Sequence, residues 1–440
     1  MTTTLPAHDP GPRIGVVGSP GLPRGDMLVA MTGLTTCLLP FLTPAGPGNT
    51  AAADAGILLC IVLGLLWAGR EHLPIRLPYA TGVAGMMLGG AFAAYVSVAP
   101  ASTGLVLVQD LLLLTWGMTI ALGRHNPAIV RAVTVAWCRT AAVYSGVMVL
   151  AYLAGISALT GVSAKDGVRA PYTFGDPNLA GNYLVVSLFV IAACKHPRSP
   201  GVRRIAYLLV LVAIGFTGSN GAMLTLMIGL LLSVVVTTYR RRGAVAGIAL
   251  LATAGLVGGL MAGVVMPRVD LSHLRAEAAG SIPLLRDSVG RSGSSSSERA
   301  TIVSEGARLF LNGDATGYGP ARTKATLEAT QAPYVKEAHN DYLATLLERG
   351  VIGAVGLLLF GVAMFVRCLR LVFGNLPRPY DEIVPRPWLL AVIGPVMATA
   401  AGFYEVLHFR HLWTWLGLIA ALVLAMQDQQ DQRDQREEAS

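Results

Sequence analysis

The sequence predicts an all-α membrane protein that crosses the bilayer about twelve times. Of its 440 residues, 53% are hydrophobic and only 13% are charged, about half of the ~25% charged residues usual in soluble domains. A water-soluble globule of this length needs more surface charge, which excludes cytosolic enzymes, nucleic-acid binders and disordered scaffolds. The net charge of +8 is therefore better explained by the loops of a membrane protein than by nucleic acid.

Twelve apolar stretches approach the ~17–25 residues that a helix needs to cross the hydrocarbon core. They lie at 27–43, 51–68, 77–98, 104–122, 128–157, 177–194, 203–217, 221–238, 244–266, 350–373, 387–404 and 410–426. The first follows a 26-residue polar leader and precedes more apolar runs, so we interpret it as a membrane anchor and not a cleaved signal peptide. No internal repeat is recognisable, which disfavours transporter folds built from duplicated halves.

Basic residues are distributed unequally between the loops, and this predicts that both termini are cytoplasmic. With the N-terminus inside, the five inside connecting loops carry fifteen of the 33 lysines and arginines, whereas the short outside loops carry only Lys165, Arg169 and Arg410. Cytoplasmic loops are enriched in Lys and Arg, and long outer segments such as 267–340 translocate regardless of charge.

This topology divides the chain into five parts. They are a cytoplasmic leader (1–26), membrane helices one to nine (27–266), a large outer loop (267–349), membrane helices ten to twelve (350–426) and a polar tail (427–440). The tail is of low complexity, QDQQDQRDQREEAS, and we expect it to be disordered.

The outer loop contains two predicted short amphipathic helices. Ser295-x-x-Glu298 matches a capping box, apolar residues follow at helical spacing and Gly313 is a natural stop, which predicts a helix over about 296–311. Arg299 lies on it.

A second helix is predicted to begin at His339, since His339, Tyr342, Leu343 and Leu346 share one helical face, and to break at Gly350. A histidine at the outer surface can act as a general base near neutral pH. The alternative is an inert surface histidine.

The outer segment 158–176 ends in a strong helix start. Asp176 is a predicted cap and Pro177 suits the first helical position. Arg169 lies just upstream, so it either contacts an anion near this helix N-terminus or is an ordinary surface arginine.

A few charges fall within or near the apolar runs, where a charge costs roughly 2.5–3.5 kcal/mol and therefore pairs or lines a cavity. Asp110 and Glu405 lie toward the outer ends, and Arg139 lies in the inner half of the fifth run. We interpret His408, Arg410 and His411 as interface anchors.

Sequence motifs of soluble-type catalysis are missing. The chain has no Walker loop, HExxH or GxSxG motif, and its five cysteines fit no metal site. We therefore expect a reaction without ATP, a bound metal or another cofactor.

Three motifs together resemble the O-antigen ligase and polymerase superfamily. They are His339-Asn340-Asp341-Tyr342-Leu343 with Glu348-Arg349-Gly350-Val351-Ile352-Gly353, then RAPYTFGDPN at 169–178, and 294–299 with Gly317-Tyr318-Gly319. Twelve spans with a large outer loop between spans nine and ten also match this family.

The resemblance implies a glycosyltransferase in a bacterial cytoplasmic membrane, with 267–349 as its outer catalytic loop. Such enzymes transfer a glycan from a polyprenyl diphosphate carrier to an acceptor hydroxyl, with inversion and without a metal. Carried over by position, His339 would be the catalytic base and Glu405 a second catalytic residue. Arg169, Arg299, Asn340 and Tyr342 would contact the substrates.

One position departs from the family pattern. The turn between spans seven and eight often carries an arginine in this family, but here it reads Thr217-Gly218-Ser219-Asn220-Gly221. Asn220 donates hydrogen bonds without charge, so either Arg169 compensates or the donor differs.

Three functions remain open at this point. A ligase leads, a repeat-unit polymerase of the same superfamily is the alternative, and a lipid-glycan flippase or transporter is the rival of a different class. The acceptor, a glycolipid, wall polymer or protein, is not indicated by the sequence.

Overall fold

The computed structural model describes residues 25–43, 50–76, 78–163, 167–260, 292–313, 315–331 and 339–438, with backbone only over 292–299. Most of the predicted leader and residues 261–291 of the region between the ninth and tenth spans lie outside these ranges. Within them the chain is helical and contains no β-strand.

Among the described residues, eight helices are long and apolar enough to cross a membrane. They are α2 (Ala52–Arg70), α4 (Pro100–Ala121), α5 (Pro127–Leu153), α7 (Pro177–Cys194), α8 (Pro200–Thr217), α9 (Asn220–Arg242), α13 (Asp341–Phe373) and α16 (Arg410–Glu438). Four shorter apolar helices are α1 (Asp26–Leu38), α3 (Ala80–Val96), α10 (Ala244–Leu260) and α15 (Pro387–Ala401). Each of the twelve predicted runs overlaps one of these helices, while the number of spans and the side of each terminus stay predictions.

The remaining helices are short or belong to the segment between α10 and α13. α6 (Ser157–Thr160) follows α5, and α14 (Tyr380–Ile383) precedes α15. α11 (Ser292–Asn312) and α12 (Thr323–Ala329) precede α13. α11 begins before the predicted capping box, so Ser295 lies inside the helix and not at its cap, while its end before Gly313 agrees with the prediction.

The polar tail differs from its prediction. α16 continues without interruption to Glu438, so residues 427–438 form a helical extension, exposed from residue 430 onward, and not an irregular tail. Gln, Asp, Glu and Arg are compatible with helix when they extend an existing one, because propagation avoids the cost of nucleation.

α7 and α16 form the centre of the bundle. Both are buried over most of their apolar length. Trp137 of α5 stacks on Tyr183 of α7 and donates a hydrogen bond to Ser187 at 2.9 Å. Because α7 is surrounded, its two ends are held in fixed positions relative to the neighbouring helices.

α3 and α13 approach each other closely along a line of glycines. A Cβ at Gly356 would lie 2.4 Å from the backbone nitrogen of Met86, and one at Gly89 would lie 2.5 Å from that of Gly353. Small residues allow such close packing between membrane helices. Gly350 has φ 64° and ψ −166°, which kinks α13 and separates its first nine residues from the rest, as the predicted break at Gly350 anticipated.

α11 and α12 pack on this first part of α13. Leu309, Leu327 and Leu347 are buried together, and a Cβ at Gly306 would lie 2.8 Å from the Leu343 side chain. Burial of each leucine contributes roughly 1.5–3 kcal/mol. This small apolar cluster fixes α11 beside the start of α13.

Candidate functional site

The start of α13 is bound to the loop that follows α15. The Asn340 side chain caps α13 by accepting hydrogen bonds from the Tyr342 and Leu343 N–H groups, and its amide donates to the Gly402 carbonyl at 3.2 Å. The Asp341 carboxylate accepts from the backbone of Val406 at 2.7 Å. These bonds hold the His-Asn-Asp-Tyr motif against residues 402–407.

His339 and Glu405, the two predicted catalytic residues, meet in this arrangement. The backbone N–H of His339 donates to Oε1 of Glu405 at 3.3 Å. His339 has a positive φ of 45°, a conformation that costs free energy for a residue other than glycine and that clusters at functional sites. Glu405 thus helps to hold a strained backbone at the candidate base.

The helix starts later than predicted. α13 begins at Asp341 with Asn340 as its cap, so His339 lies in the preceding loop and does not share a helical face with Tyr342. The reason is local: an Asn cap side chain satisfies the first free N–H groups of the helix, and this fixes the boundary.

Arg169 belongs to a hydrogen-bond network that ends beside Glu405. Its Nε donates to the Thr217 carbonyl and its guanidinium NH2 to Oδ1 of Asn178, both at 3.1 Å. The same Asn178 oxygen accepts from the Ser219 hydroxyl at 2.9 Å and from the Tyr404 hydroxyl at 3.3 Å. Arg169, the α8–α9 turn and the residue before Glu405 are therefore neighbours.

Asn220 lies in this turn as the first residue of α9, where it is exposed, and Ser219 caps the helix. Arg169 donates to the carbonyl of Thr217 in the same turn. A guanidinium is thus present beside the turn although position 220 carries none. The predicted start of α7 is also observed, with Asp176 accepting from the Asn178 and Leu179 N–H groups.

Arg299 is on α11, as predicted, although its side chain lies outside the described part of the chain. Tyr342 donates from its hydroxyl to the Ala398 carbonyl at 2.7 Å and is half exposed. It also lies at one end of an apolar groove of about 420 Å³ that continues along α13 past Leu346 and Leu358 to Phe365.

A second, charged cavity of about 510 Å³ opens beside Glu405. Its lining combines acidic and basic side chains: Asp54, Lys324, Glu328, Glu348, Glu405, His408 and Arg410. Sequence reasoning missed Asp54, Lys324 and Glu328, which belong to no recognised motif, and it included Glu348 only as part of the Glu-Arg-Gly motif, without a role in the site. Arg410 forms a two-bond ion pair with Asp54 at 2.5 and 2.6 Å, and its position as an interface anchor stays a prediction.

A buried ion-pair cluster lies next to this cavity. Arg349 donates to Asp110 at 2.5 Å, and Nδ1 of His408 lies 3.4 Å from the other carboxylate oxygen. Burial alone lowers the pKa of His408, but the hydrogen bond and charge of Asp110, with Asp341 and Glu405, outweigh it and raise the pKa to about 9. His408 is thus a partner of Asp110, and its position as an interface anchor stays a prediction. His411 is buried against Asn182 at 2.7 Å and is not an interface anchor.

The Gly-Tyr-Gly turn docks on the Glu-Arg-Gly segment of α13. The Tyr318 and Gly319 N–H groups donate to the carbonyls of Leu347 and Glu348 at 2.8 and 3.1 Å. Gly317 has φ 88°, and a Cβ there would lie 2.6 Å from the Gly350 nitrogen. Two motifs that are about thirty residues apart in sequence therefore form one unit.

Glu348 strengthens this unit. Its carboxylate accepts from the Ala321 N–H at 2.7 Å and from the Thr323 hydroxyl at 2.7 Å. These contacts fix the start of α12, which carries Lys324 into the charged cavity.

The fold and this site define a multi-pass helical membrane protein in which the loop after α15 contacts both the α8–α9 turn and the start of α13, beside a charged cavity. Residues 205–358 match the family model described as O-antigen ligase. The predicted likeness to the O-antigen ligase and polymerase superfamily is thereby confirmed. No curated protein matches the chain.

The matched span covers Asn220, Arg299, His339, Asn340 and Tyr342, but it ends before Glu405 and begins after Arg169. The matched family is one of membrane glycosyltransferase-like enzymes of polysaccharide biosynthesis. The contacts of Arg169 and Glu405 extend the site beyond the matched residues.

Proposed function

We propose that this protein is a ligase-type transferase that moves a glycan from a polyprenyl diphosphate carrier to an acceptor hydroxyl at the outer face of the cytoplasmic membrane. The observation that carries the proposal is the meeting of His339, in a strained backbone conformation, with Glu405 at the rim of a charged cavity. The O-antigen ligase match supports the substrate class.

His339 acts as the general base in this proposal. Its imidazole takes the proton of the acceptor hydroxyl while that oxygen attacks the anomeric carbon from the face opposite the diphosphate. The bond between the anomeric carbon and the diphosphate oxygen breaks, and the diphosphate leaves with the electron pair, so the configuration inverts. A positioned base contributes typically about 10²–10⁴-fold to the rate.

Arg169 and Arg299 hold the leaving diphosphate. A guanidinium presents a planar fork of donors that suits phosphate oxygens, and charge stabilisation of a leaving group is a major part of catalysis. The position of Arg169 beside the α8–α9 turn supports the view that its charge compensates for the neutral Asn220. In this proposal Asn220 donates a hydrogen bond to the diphosphate.

Glu405, Asn340 and Tyr342 complete the site. Glu405 fixes the His339 backbone and faces the cavity, where it orients the acceptor. Asn340 holds the loop, and Tyr342 lies where the apolar groove along α13 begins. That groove suits the isoprenoid chain of the donor, which would keep the diphosphate close to the reacting groups.

A repeat-unit polymerase of the same superfamily is the second candidate, because the same base and arginines serve both reactions. The two differ in product: a ligase transfers the glycan in one block to a new acceptor, while a polymerase extends the glycan on its carrier. A flippase is disfavoured because the connected motif residues gather at one end of the bundle.

The test is mass spectrometry of lipid-linked glycans and envelope polymers in a deletion strain complemented with the intact protein or with His339→Ala. We expect accumulation of the full-length lipid-linked glycan in the deletion and variant strains. Loss of long chains from the carrier would favour the polymerase. Wild-type products with His339→Ala would refute the proposed base.

A further inference from the structure

A cavity of about 1020 Å³ lies away from the site and is lined mainly by α1 and α5. The end of α7 and the loop after it close one side, through Cys194 and Pro197. The opposite end of α7 carries Asn178 of the Arg169 network. The 18 residues of α7 correspond to about 27 Å of helix, so the cavity is separate from the candidate active site.

The cavity carries an excess of positive charge. Arg131, Arg139 and Arg198 line it together with His196, against the single carboxylate of Glu382. Burial lowers the pKa of His196, and the charges of Arg139 and Arg198 lower it further. This direction is what burial together with neighbouring positive charge produces.

Arg139 is the most informative of these residues. It is the thirteenth residue of the 27-residue α5, and its side chain is exposed and makes no ion pair with the part of the chain that the structure describes. A charge inside a membrane span costs roughly 2.5–3.5 kcal/mol unless it finds a partner or a polar cavity. An anion bound in the cavity would supply that partner.

Most of the remaining lining is apolar. Ala30 and Leu34 of α1 contribute to it together with Ala132 and Ala136 of α5. The lining residues of α1 extend from Val29 to Cys37, about 12 Å along the helix axis. A soluble anion needs no such apolar wall, whereas an acyl chain does.

We propose that this cavity binds an anionic phospholipid, with its phosphodiester between Arg139 and Arg198 and its acyl chains along the wall formed by α1 and α5. Bidentate bonds from arginine forks fit a phosphodiester. A basic pocket between membrane helices is suited to the headgroups of anionic lipids. The proposal does not depend on the transferase reaction.

The experiment is native mass spectrometry of the purified full-length protein in detergent, titrated with dioleoylphosphatidylglycerol or dioleoylphosphatidylcholine. We expect phosphatidylglycerol to bind at least tenfold more tightly. The double variant Arg139→Gln/Arg198→Gln should lower that affinity about tenfold. Arg204→Gln is the matched control, because Arg204 is exposed on α8 and does not line the cavity, and it should retain wild-type affinity.

Two further arms of the experiment distinguish a bound lipid from a bound soluble phosphate. The comparison of the two lipids on the wild-type protein does not depend on the folding of any variant. Ala136→Leu fills space beside the apolar wall of the cavity without changing its charge. This single substitution should weaken the binding of phosphatidylglycerol. Soluble glycerol phosphate should fail to displace the lipid at millimolar concentration. Equal affinity for both lipids, equal loss in Arg204→Gln, or displacement by glycerol phosphate would overturn the proposal.

Discussion

Arg349 and Asp110 form a buried ion pair at 2.5 Å although 239 residues separate them in the chain. Asp110 belongs to α4, and Arg349 is the last residue before the kink of α13. The pair therefore joins the candidate catalytic segment to the helical bundle.

Removal of one partner of this pair should destabilise the protein. Asp110→Asn leaves the Arg349 charge buried without its counter-ion, and breaking a buried pair costs about 3–5 kcal/mol. Denaturant unfolding in detergent measures this loss. The control is Glu305→Gln, because its ion pair with Arg308 at 2.8 Å lies on α11 with the Arg308 side chain about half exposed; a change of about 1 kcal/mol or less is expected. Equal losses in the two variants would contradict the buried-pair interpretation.

His339→Ala should remove transfer while the protein remains folded. Loss of the base lowers turnover by about 10²–10⁴-fold, and the Asn340 cap that fixes the segment is unaffected. Transfer of lipid-linked glycan in membranes is the measurement. His72→Ala is the control, since His72 is exposed in the loop after α2, and it should behave as wild type.

Glu405→Gln should lower turnover and preserve the fold. The amide oxygen of glutamine still accepts from the His339 N–H, but the negative charge facing the cavity is lost. We expect a fall of about tenfold or more in turnover with thermal stability close to wild type. If Glu405→Gln retained full turnover, the charge of Glu405 would have no part in the reaction.

Arg169→Lys should weaken use of the donor. Lysine keeps the charge but lacks the fork that contacts both Thr217 and Asn178. We expect the KM for the donor to rise about tenfold, which corresponds to about 1.4 kcal/mol.

Arg299→Ala should have the larger effect if both arginines hold the diphosphate. Asn220→Arg places a positive charge at the turn and should partly restore the donor KM of Arg169→Lys. If it did not, residues 169 and 220 would not contact the same group of the donor.

Stability should fall at alkaline pH. The pKa of His408 is raised to about 9 in the folded protein from an ordinary value of about 6.5. Its interaction with Asp110 therefore stabilises the fold fully below pH 6.5 and is lost as the pH rises through about 9. The Tm measured from pH 6.5 to 10 should decline, and His408→Gln should flatten that decline. Because the side chain is 40% exposed, the effect is modest.

Local signals in the sequence predicted most of the architecture. Apolar length predicted the bundle helices, the Asp176-Pro177 pair marked the start of α7, and Gly350 marked the kink in α13. The predicted start of α13 is two residues early, because His339 falls on the helical periodicity of the residues that follow. The preference of asparagine for the cap position favours Asn340 as the boundary instead.

Long-range pairings were beyond sequence reasoning. Asp54 pairs with Arg410, 356 residues away, and Lys324 reaches the charged cavity through a turn fixed by Glu348. Such contacts depend on how helices pack, and no periodic pattern in a single sequence encodes them. For the same reason, the sequence does not predict that His408 contacts Asp110 or that His411 contacts Asn182.

Glu348 and Arg349 are consecutive, yet one anchors the turn before α12 and the other anchors α4. The peptide bond between them therefore connects the turn before α12 with the membrane-embedded bundle. A substitution that displaces one of these contacts is expected to move the other, so the position of Lys324 in the charged cavity and the packing of α4 depend on two neighbouring side chains.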